Sequence, residues 1–251
     1  MGSITVDEVK AMLTRAKALL ADDDLERSLP LFDAATEAAL AFDALTRLSI
    51  ETEAASAVSS YLFIHRGTDQ KAWCLSHEQA LRSHLNTTPD APSLLRERAY
   101  SALGELTECS GKLTDSAEWY GRALEELSSR TSGSQGNTLK QCLNYLAHQG
   151  ALLRIGREEE AISSSERALL LARSLDRDRD KRAFQFGFTL QKATALLLLG
   201  RFTESAALLE SIETTVPEGG ARNEVREYLG YARARRACYW SESGALKERI
   251  P

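Results

Sequence analysis

The side chains able to do chemistry are few and widely spaced. Four histidines (His65, His77, His84, His148) and four cysteines (Cys74, Cys109, Cys142, Cys238) occur in 251 residues. Cys74 and His77 stand three apart, and His84 follows seven further on, so one helix face could carry all three. A zinc site needs four ligands at defined spacing, or three with an open position. No C-x-x-C pair and no H-E-x-x-H accompanies these residues. They read as histidines on a helix surface, and the cysteines as reduced, buried thiols. Glu105 and Glu108 are an acid pair on one helix face. With no pocket indicated around them, they read as a charged lining rather than as a general acid and base. A G-x-S-x-G elbow, a P-loop and a G-x-G-x-x-G turn are all missing from the sequence. The expectation is a protein that is not an enzyme, with no catalytic residue, no metal and no cofactor.

What would position any site is a repeat. Asp23, Gly67, Gly111, Gly156, Gly200 and Gly244 recur at intervals of 44 or 45 residues. A fixed period in this range is the signature of stacked supersecondary units. Five residues after each turn stand Ser28, Ala72, Ser116, Ala161 and Ser205, all small. Seven residues before each turn stand Ala16, Ser60, Gly104, Gln149, Ala193 and Ala237, small in all but one case. Small residues on both sides of a turn let two antiparallel helices cross closely. Four residues before each turn are Leu19, Phe63, Thr107, Leu152, Leu196 and Trp240, mostly apolar, suited to filling the groove against the next hairpin. Glycine suits the turn because a helix ends readily in a left-handed residue, which glycine adopts without a Cβ clash.

The spacing Gly-x4-Ala/Ser-x3-Tyr/Phe-x2-Ala, best kept at 100–123 and 142–172, resembles the tetratricopeptide repeat. It is degraded at 67–80, where Ser76 and Gln79 replace the aromatic and the alanine. The family's usual repeat is roughly 34 residues, so this chain is similar to a longer-repeat branch, that of bacterial regulator sensor domains and kinesin light chains. The resemblance implies an all-α, right-handed α-solenoid of about five helical hairpins and a terminal helix, forming a single array over 1–251. The hairpins are expected at about 5–45, 46–90, 91–133, 138–176 and 182–216, with the terminal helix at 222–242. Loops are expected at 86–93, 128–137, 174–182 and 214–222, each polar or rich in Gly, Pro and Ser. Pro30 is expected to delay the start of its helix. The arginine- and aromatic-rich terminal helix reads as a cap on the fifth hairpin, or as a surface for self-association or another chain.

Composition narrows the partners. A net charge of −5, from 36 acids and 31 bases, argues against nucleic-acid binding. The N-terminus MGSITVDEVKAM lacks the apolar core of a signal peptide, and the apolar run Leu196 to Leu199 is far shorter than a bilayer span. A cytoplasmic protein that avoids membranes is expected.

The resemblance also implies a function and a face. First helices line a concave groove that binds peptides or helices of other proteins. The family's chaperone-binding subclass grips a terminal carboxylate with Lys and Asn on its first helices. The corresponding positions here hold Leu13 and Lys17, then Ala57 and Tyr61, so that specificity is not expected. The inward positions of the central first helices are Tyr61, Ile64 and His65, then Glu105, Glu108 and Cys109, then Gly150, Leu153 and Arg154. The candidate binding residues are therefore Tyr61, Ile64, His65, Glu105, Glu108, Leu153 and Arg154. They suggest a partner segment with a basic residue and an apolar anchor. The expected function is a non-catalytic interaction scaffold. The alternative is a ligand- or peptide-sensing regulatory module, a fragment of a larger regulator.

Overall fold

The computed structural model describes residues 4–65, 70–130, 135–214 and 220–247; the side chains of 63, 64, 135, 220, 221 and 236–247 stand outside this description. Among the described residues the fold is all-α, with eleven helices in five antiparallel hairpins and a terminal helix. The hairpins are α1 (Val6–Ala21) with α2 (Leu25–Ala39), α3 (Ala44–Ile64) with α4 (Lys71–Thr87), α5 (Ser93–Cys109) with α6 (Leu113–Ser129), α7 (Gln135–Arg154) with α8 (Glu158–Ala172), and α9 (Asp178–Leu198) with α10 (Phe202–Glu213). The last helix, α11, is Gly220–Lys247.

The described hairpin turns share one construction. Asp23, Gly111, Gly156 and Gly200 have φ of 62°, 82°, 73° and 74°. Each turn closes with the pair of hydrogen bonds of a Schellman cap. At Gly111 its own amide reaches the Glu108 carbonyl at 3.0 Å and the Lys112 amide reaches Thr107 at 2.7 Å. The same long closing bond joins Asp24 to Leu19, Arg157 to Leu152 and Arg201 to Leu196. The residues four before each turn thus supply the last carbonyls of the first helix. Gly67 lies outside the described residues. Gly244 departs from the expectation: α11 runs through it to Lys247 instead of turning.

The crossings are as tight as the small residues require. Ser116 Oγ donates to the Gly104 carbonyl at 2.9 Å, and Ser205 Oγ to the Ala193 carbonyl at 2.8 Å. Each bond links the residue five after a turn to the residue seven before it. A Cβ on Gly104 would stand 2.7 Å from the Tyr120 ring, so only glycine fits there. Tyr120 is itself almost fully buried.

Several boundaries differ from the sequence expectation. α2 begins at Leu25 and contains Pro30 as its sixth residue, because Asp24 caps the helix by accepting from the Arg27 amide at 3.2 Å. Pro30 lies on the exposed side, where the carbonyl left unpaired one turn back can meet water. α3 begins at Ala44 because Asp43 accepts from the amides of Leu45 and Thr46, both at 3.0 Å. α7 and α9 reach back to Gln135 and Asp178, into stretches expected as loops. At α9 the acids Asp178 and Asp180 occupy the first turn, where the helix dipole favours negative charge.

The chain divides into two compact units, 1–131 and 132–251. Within the first, α3 packs on α1 and α5 as well as on its hairpin partner, and α4 packs on α5. Its core gathers Leu13, Phe32, Leu48, Leu81, Leu103 and Leu106. Within the second, α8 packs on α7 and α9, and α10 on α9 and α11. Val225, Leu229 and Ala232 of α11 are buried with Ala206, Leu209 and Ile212 of α10, so this helix covers the fifth hairpin. The expected aromatic cover is only partial. Tyr228 packs on the core, Tyr231 stays about half exposed with Arg235 over its ring, and Tyr239 and Trp240 lie among the undescribed side chains.

Candidate partner-binding face

Repeat geometry brings the ends of α3 and α5 side by side in the first unit. Ser59 Oγ donates to the Glu105 carboxylate at 2.5 Å, and Ser60 Oγ to the same oxygen at 3.1 Å. These bonds set the register between the two helices. Tyr61 is half-buried and stacks on exposed His65 with ring centroids 4.2 Å apart. The Tyr61 hydroxyl donates to Asp23, and His65 Nδ1 lies 3.6 Å from the same carboxylate. The aromatic pair is thereby fastened to the first hairpin's turn. Ile64 is on α3, with its side chain outside the described residues.

The two acids of the face differ in environment. Glu105 points into the α3–α5 seam. Burial pushes its carboxyl up to about 7 against the pull of the two serine hydroxyls. Around neutral pH it is partly protonated, so it adds less negative charge than its residue type suggests. Glu108 is half-buried and accepts from the Tyr120 hydroxyl at 3.4 Å. Leu153 and Arg154 belong to the second unit, with Leu153 half-buried and Arg154 exposed. Arg154 Nε donates to the Gly150 carbonyl at 3.1 Å.

A concavity of about 610 Å³ opens elsewhere in the first unit, between α4, α5, α6 and the loop joining α4 to α5. Its wall is built on Trp119. The Arg82 and Arg122 guanidinium carbons lie 5.0 and 4.5 Å from the centre of its ring, and Tyr100 stacks at 5.7 Å. Arg82 is held by Glu78 and Asp115, and Arg96 by Glu126. Arg122 is exposed and lies over the Trp119 ring, with no ion pair among the described residues.

The histidine reading needs correction: His77 is buried rather than on a helix surface and His84 is half-buried, whereas Cys74 and Cys142 are buried free thiols as expected. His77 Nδ1 lies 2.6 Å from Glu51 and Nε2 3.1 Å from Asp33, and the ring stacks on Trp73 at 3.7 Å. Burial alone would depress this imidazole; the two carboxylates, Glu51 foremost, outweigh it and raise its pKa. His77 thus bridges α2, α3 and α4 with both nitrogens engaged, and its two carboxylates favour the protonated ring. One signal was in the sequence: Asp33 and His77 stand 44 apart, the same repeat position in successive hairpins. Among the described residues no cluster of three or more His, Cys, Asp or Glu could hold a metal. Nor is any described helix long and apolar enough to cross a membrane.

No protein-family model and no curated protein matches the chain. Among solved structures, a putative kinesin light chain of Podosopora anserina with nearly identical TPR-like repeats superposes with a TM-score of 0.60 at 15% identity, covering 84% of this chain and 95% of its own. The apo form of RapI superposes with a TM-score of 0.56 at 11% identity, covering 96% of this chain and 75% of its own. The fold is therefore the tetratricopeptide-like α-solenoid, in its long-repeat form.

Proposed function

We propose that the protein is a non-catalytic, cytoplasmic interaction scaffold. It binds a peptide or helical segment of another protein along the face made by its first helices, within a single tetratricopeptide-like array over 1–251. The observation that carries this reading is the register of α3 and α5: the Ser59 and Ser60 bonds to Glu105 set two first helices side by side, with the Tyr61–His65 stack on one and Glu108 on the other. An aromatic pair on one first helix and an acid on the next suit a segment with an apolar anchor and a Lys or Arg. Ile64, Leu153 and Arg154 extend the same repeat positions. Neither nucleic acid nor membrane is a partner in this reading, and α11 offers a further surface for self-association. The fold itself carries no function, so the reading rests on these residues.

Photo-crosslinking tests it. A crosslinking residue at position 61 or 108 of the full chain, in its native cell, should capture the same partner. One placed at 122 should not. Tyr61→Ala with Glu108→Lys should weaken that capture at least tenfold without lowering the melting temperature. A partner captured only from position 122 would refute the first-helix face.

The concavity at Trp119 favours a second reading, a ligand-sensing regulatory module. Three arginines around an aromatic wall suit a small anion with a planar body. Binding there would raise the melting temperature of the wild type and leave Arg122→Glu unchanged. Failure across a panel of aromatic carboxylates and phosphorylated small molecules would count against it.

A further inference from the structure

One hairpin turn departs from the construction that the other described turns keep. Asp23 has a φ of 62° and is the only residue besides glycine with a positive φ among the described residues. Gly111, Gly156 and Gly200 hold the same place at 82°, 73° and 74°. Glycine enters this region without strain, whereas aspartate crowds its Cβ against the backbone. Nothing in the turn offsets that strain. Its closing bonds, from the Asp23 amide to Leu20 at 3.1 Å and from the Asp24 amide to Leu19 at 2.9 Å, are made by the backbone and would survive glycine. Capping of α2 does not need Asp23 either, because Asp24 is the cap.

The side chain acts instead on the next hairpin. Its Oδ1 accepts from the Tyr61 hydroxyl and lies 3.6 Å from His65 Nδ1. Tyr61 and His65 stand at the last turn of α3, with ring planes 15° apart. Tyr61 is only half-buried and the His65 side chain is 45% exposed, so core packing alone does not fix the two rings. The bond to Asp23 is also the chief reason that the Tyr61 phenol is raised above its ordinary value. Holding α1 against α3 does not depend on this contact. Leu13 and Ala16 of α1 share a core with Leu48 and Ala55 of α3, and Lys17 pairs with Glu53.

We propose that Asp23 is a positioning residue for partner binding: it stands where glycine would be less strained because its carboxylate holds the Tyr61–His65 stack in the arrangement a bound segment meets. This rests on the first-helix face as the binding surface. Rings that are already held lose less freedom on association, which is how such a residue strengthens binding without touching the partner. A residue that served the turn alone would behave in the opposite way, since glycine would then relieve strain and change nothing at position 61.

The test compares Asp23→Gly and Asp23→Asn with the parent, each as the full chain. Asparagine also tolerates the left-handed region, and its amide oxygen can accept from the Tyr61 hydroxyl. Asp23→Gly should melt no lower than the parent. With tyrosine and histidine isotope-labelled, the parent should show nuclear Overhauser contacts between the Tyr61 and His65 rings; Asp23→Gly should lose them and Asp23→Asn keep them. Capture of the partner by a crosslinking residue at position 108 should fall about 2- to 10-fold in Asp23→Gly, the cost of ordering the freed side chains on binding, and recover in Asp23→Asn. The proposal is overturned if the ring contacts persist in Asp23→Gly, or if they vanish there while capture is unchanged. Absence of capture by the parent would instead count against the first-helix face, and the ring contacts would still decide whether Asp23 holds the stack.

Discussion

The two units treat buried polarity in different ways. In the first, charged groups go inside with ionic partners, most of them from outside their own helix. Glu51 meets His77, Glu78 meets both Arg82 and Lys112, and Glu97 meets Arg130. All three glutamates are 3% exposed. In the second, the buried polar side chains are mostly neutral. Gln149 has neither amide atom paired among the described residues, and Ser164 Oγ, Gln191 Oε1 and His148 Nδ1 also find no partner there, against only the Nε of Arg47 and of Arg82 in the first. Its ion pairs lie outside, as at Arg157–Glu160 and Arg201–Glu204. The same repeat therefore tolerates two interiors. One is specified by ionic bridges between successive helices. The other is held by apolar packing that carries unsatisfied groups as a cost.

Removing a bridge should have the largest effect. His77→Ala leaves the Glu51 carboxylate buried beside Asp33 with no cation. Breaking a buried pair in this way costs about 3–5 kcal/mol. Hydrogen exchange read peptide by peptide in the full chain should show the loss within 1–131 and leave 132–251 protected. A uniform loss, or one below about 1 kcal/mol, would mean that the bridge does not distinguish the units.

Protons should sharpen the contrast, because Glu105 and His77 in the first unit and His148 in the second respond with opposite signs, while His84 of the first, lowered by burial, acts with His148. In the first, Glu105 titrates near 7 against an unperturbed 4.5, so the folded state favours its neutral form and stability falls as pH climbs from about 4.5 to 7. His77, raised by its carboxylates, contributes fully below its unfolded value of about 6.5 and loses that contribution as pH rises through its folded value. In the second, burial and then Arg157 depress His148 to about 4, so stability is lost as pH falls from about 6.5 to 4. Each numbered shift is worth on the order of 2–3 kcal/mol at full titration. Glu105→Gln should flatten the neutral-side loss in 1–131, and His148→Asn the acid-side loss in 132–251. Parallel pH profiles for the two units would contradict this assignment.

Where the units agree, equal effects are expected. Ser116→Leu in the first and Ala161→Leu in the second enlarge the same crossing position. Each should cost about 1–3 kcal/mol through overpacking. Gly104→Ala should do the same, because its new methyl meets Tyr120. Calorimetry that found either leucine variant as stable as the parent would break the shared register.

Most of the fold was legible because it repeats. The turn residues and the small crossing positions are local features, and the period multiplied them. Cap residues were less legible. Asp43 starts α3 two residues early, at Ala44, by accepting from the Leu45 and Thr46 amides. The candidate face was legible only as repeat positions. Glu105 shows the limit: its position follows from the period, but its partly protonated state depends on Ser59 and Ser60 from the neighbouring hairpin.

The smallest expected effect has the opposite sign. Gln149 stands seven before the turn at Gly156, where the other described hairpins of known side-chain placement have Ala16, Ser60, Gly104 and Ala193. It is fully buried, and both amide atoms lack partners. An unpaired buried amide costs about 1–3 kcal/mol. Methionine keeps much of glutamine's length and volume and has no amide to desolvate, so Gln149→Met should stabilise the protein by about 1 kcal/mol. Gln149→Ala should give less or turn destabilising, since the desolvation gain is then offset by the cavity left behind. Urea unfolding of the three proteins, with exchange protection read over 132–251, separates the terms. Loss of stability in both variants would show that the amide pairs in solution, and the contrast between the two interiors would then weaken.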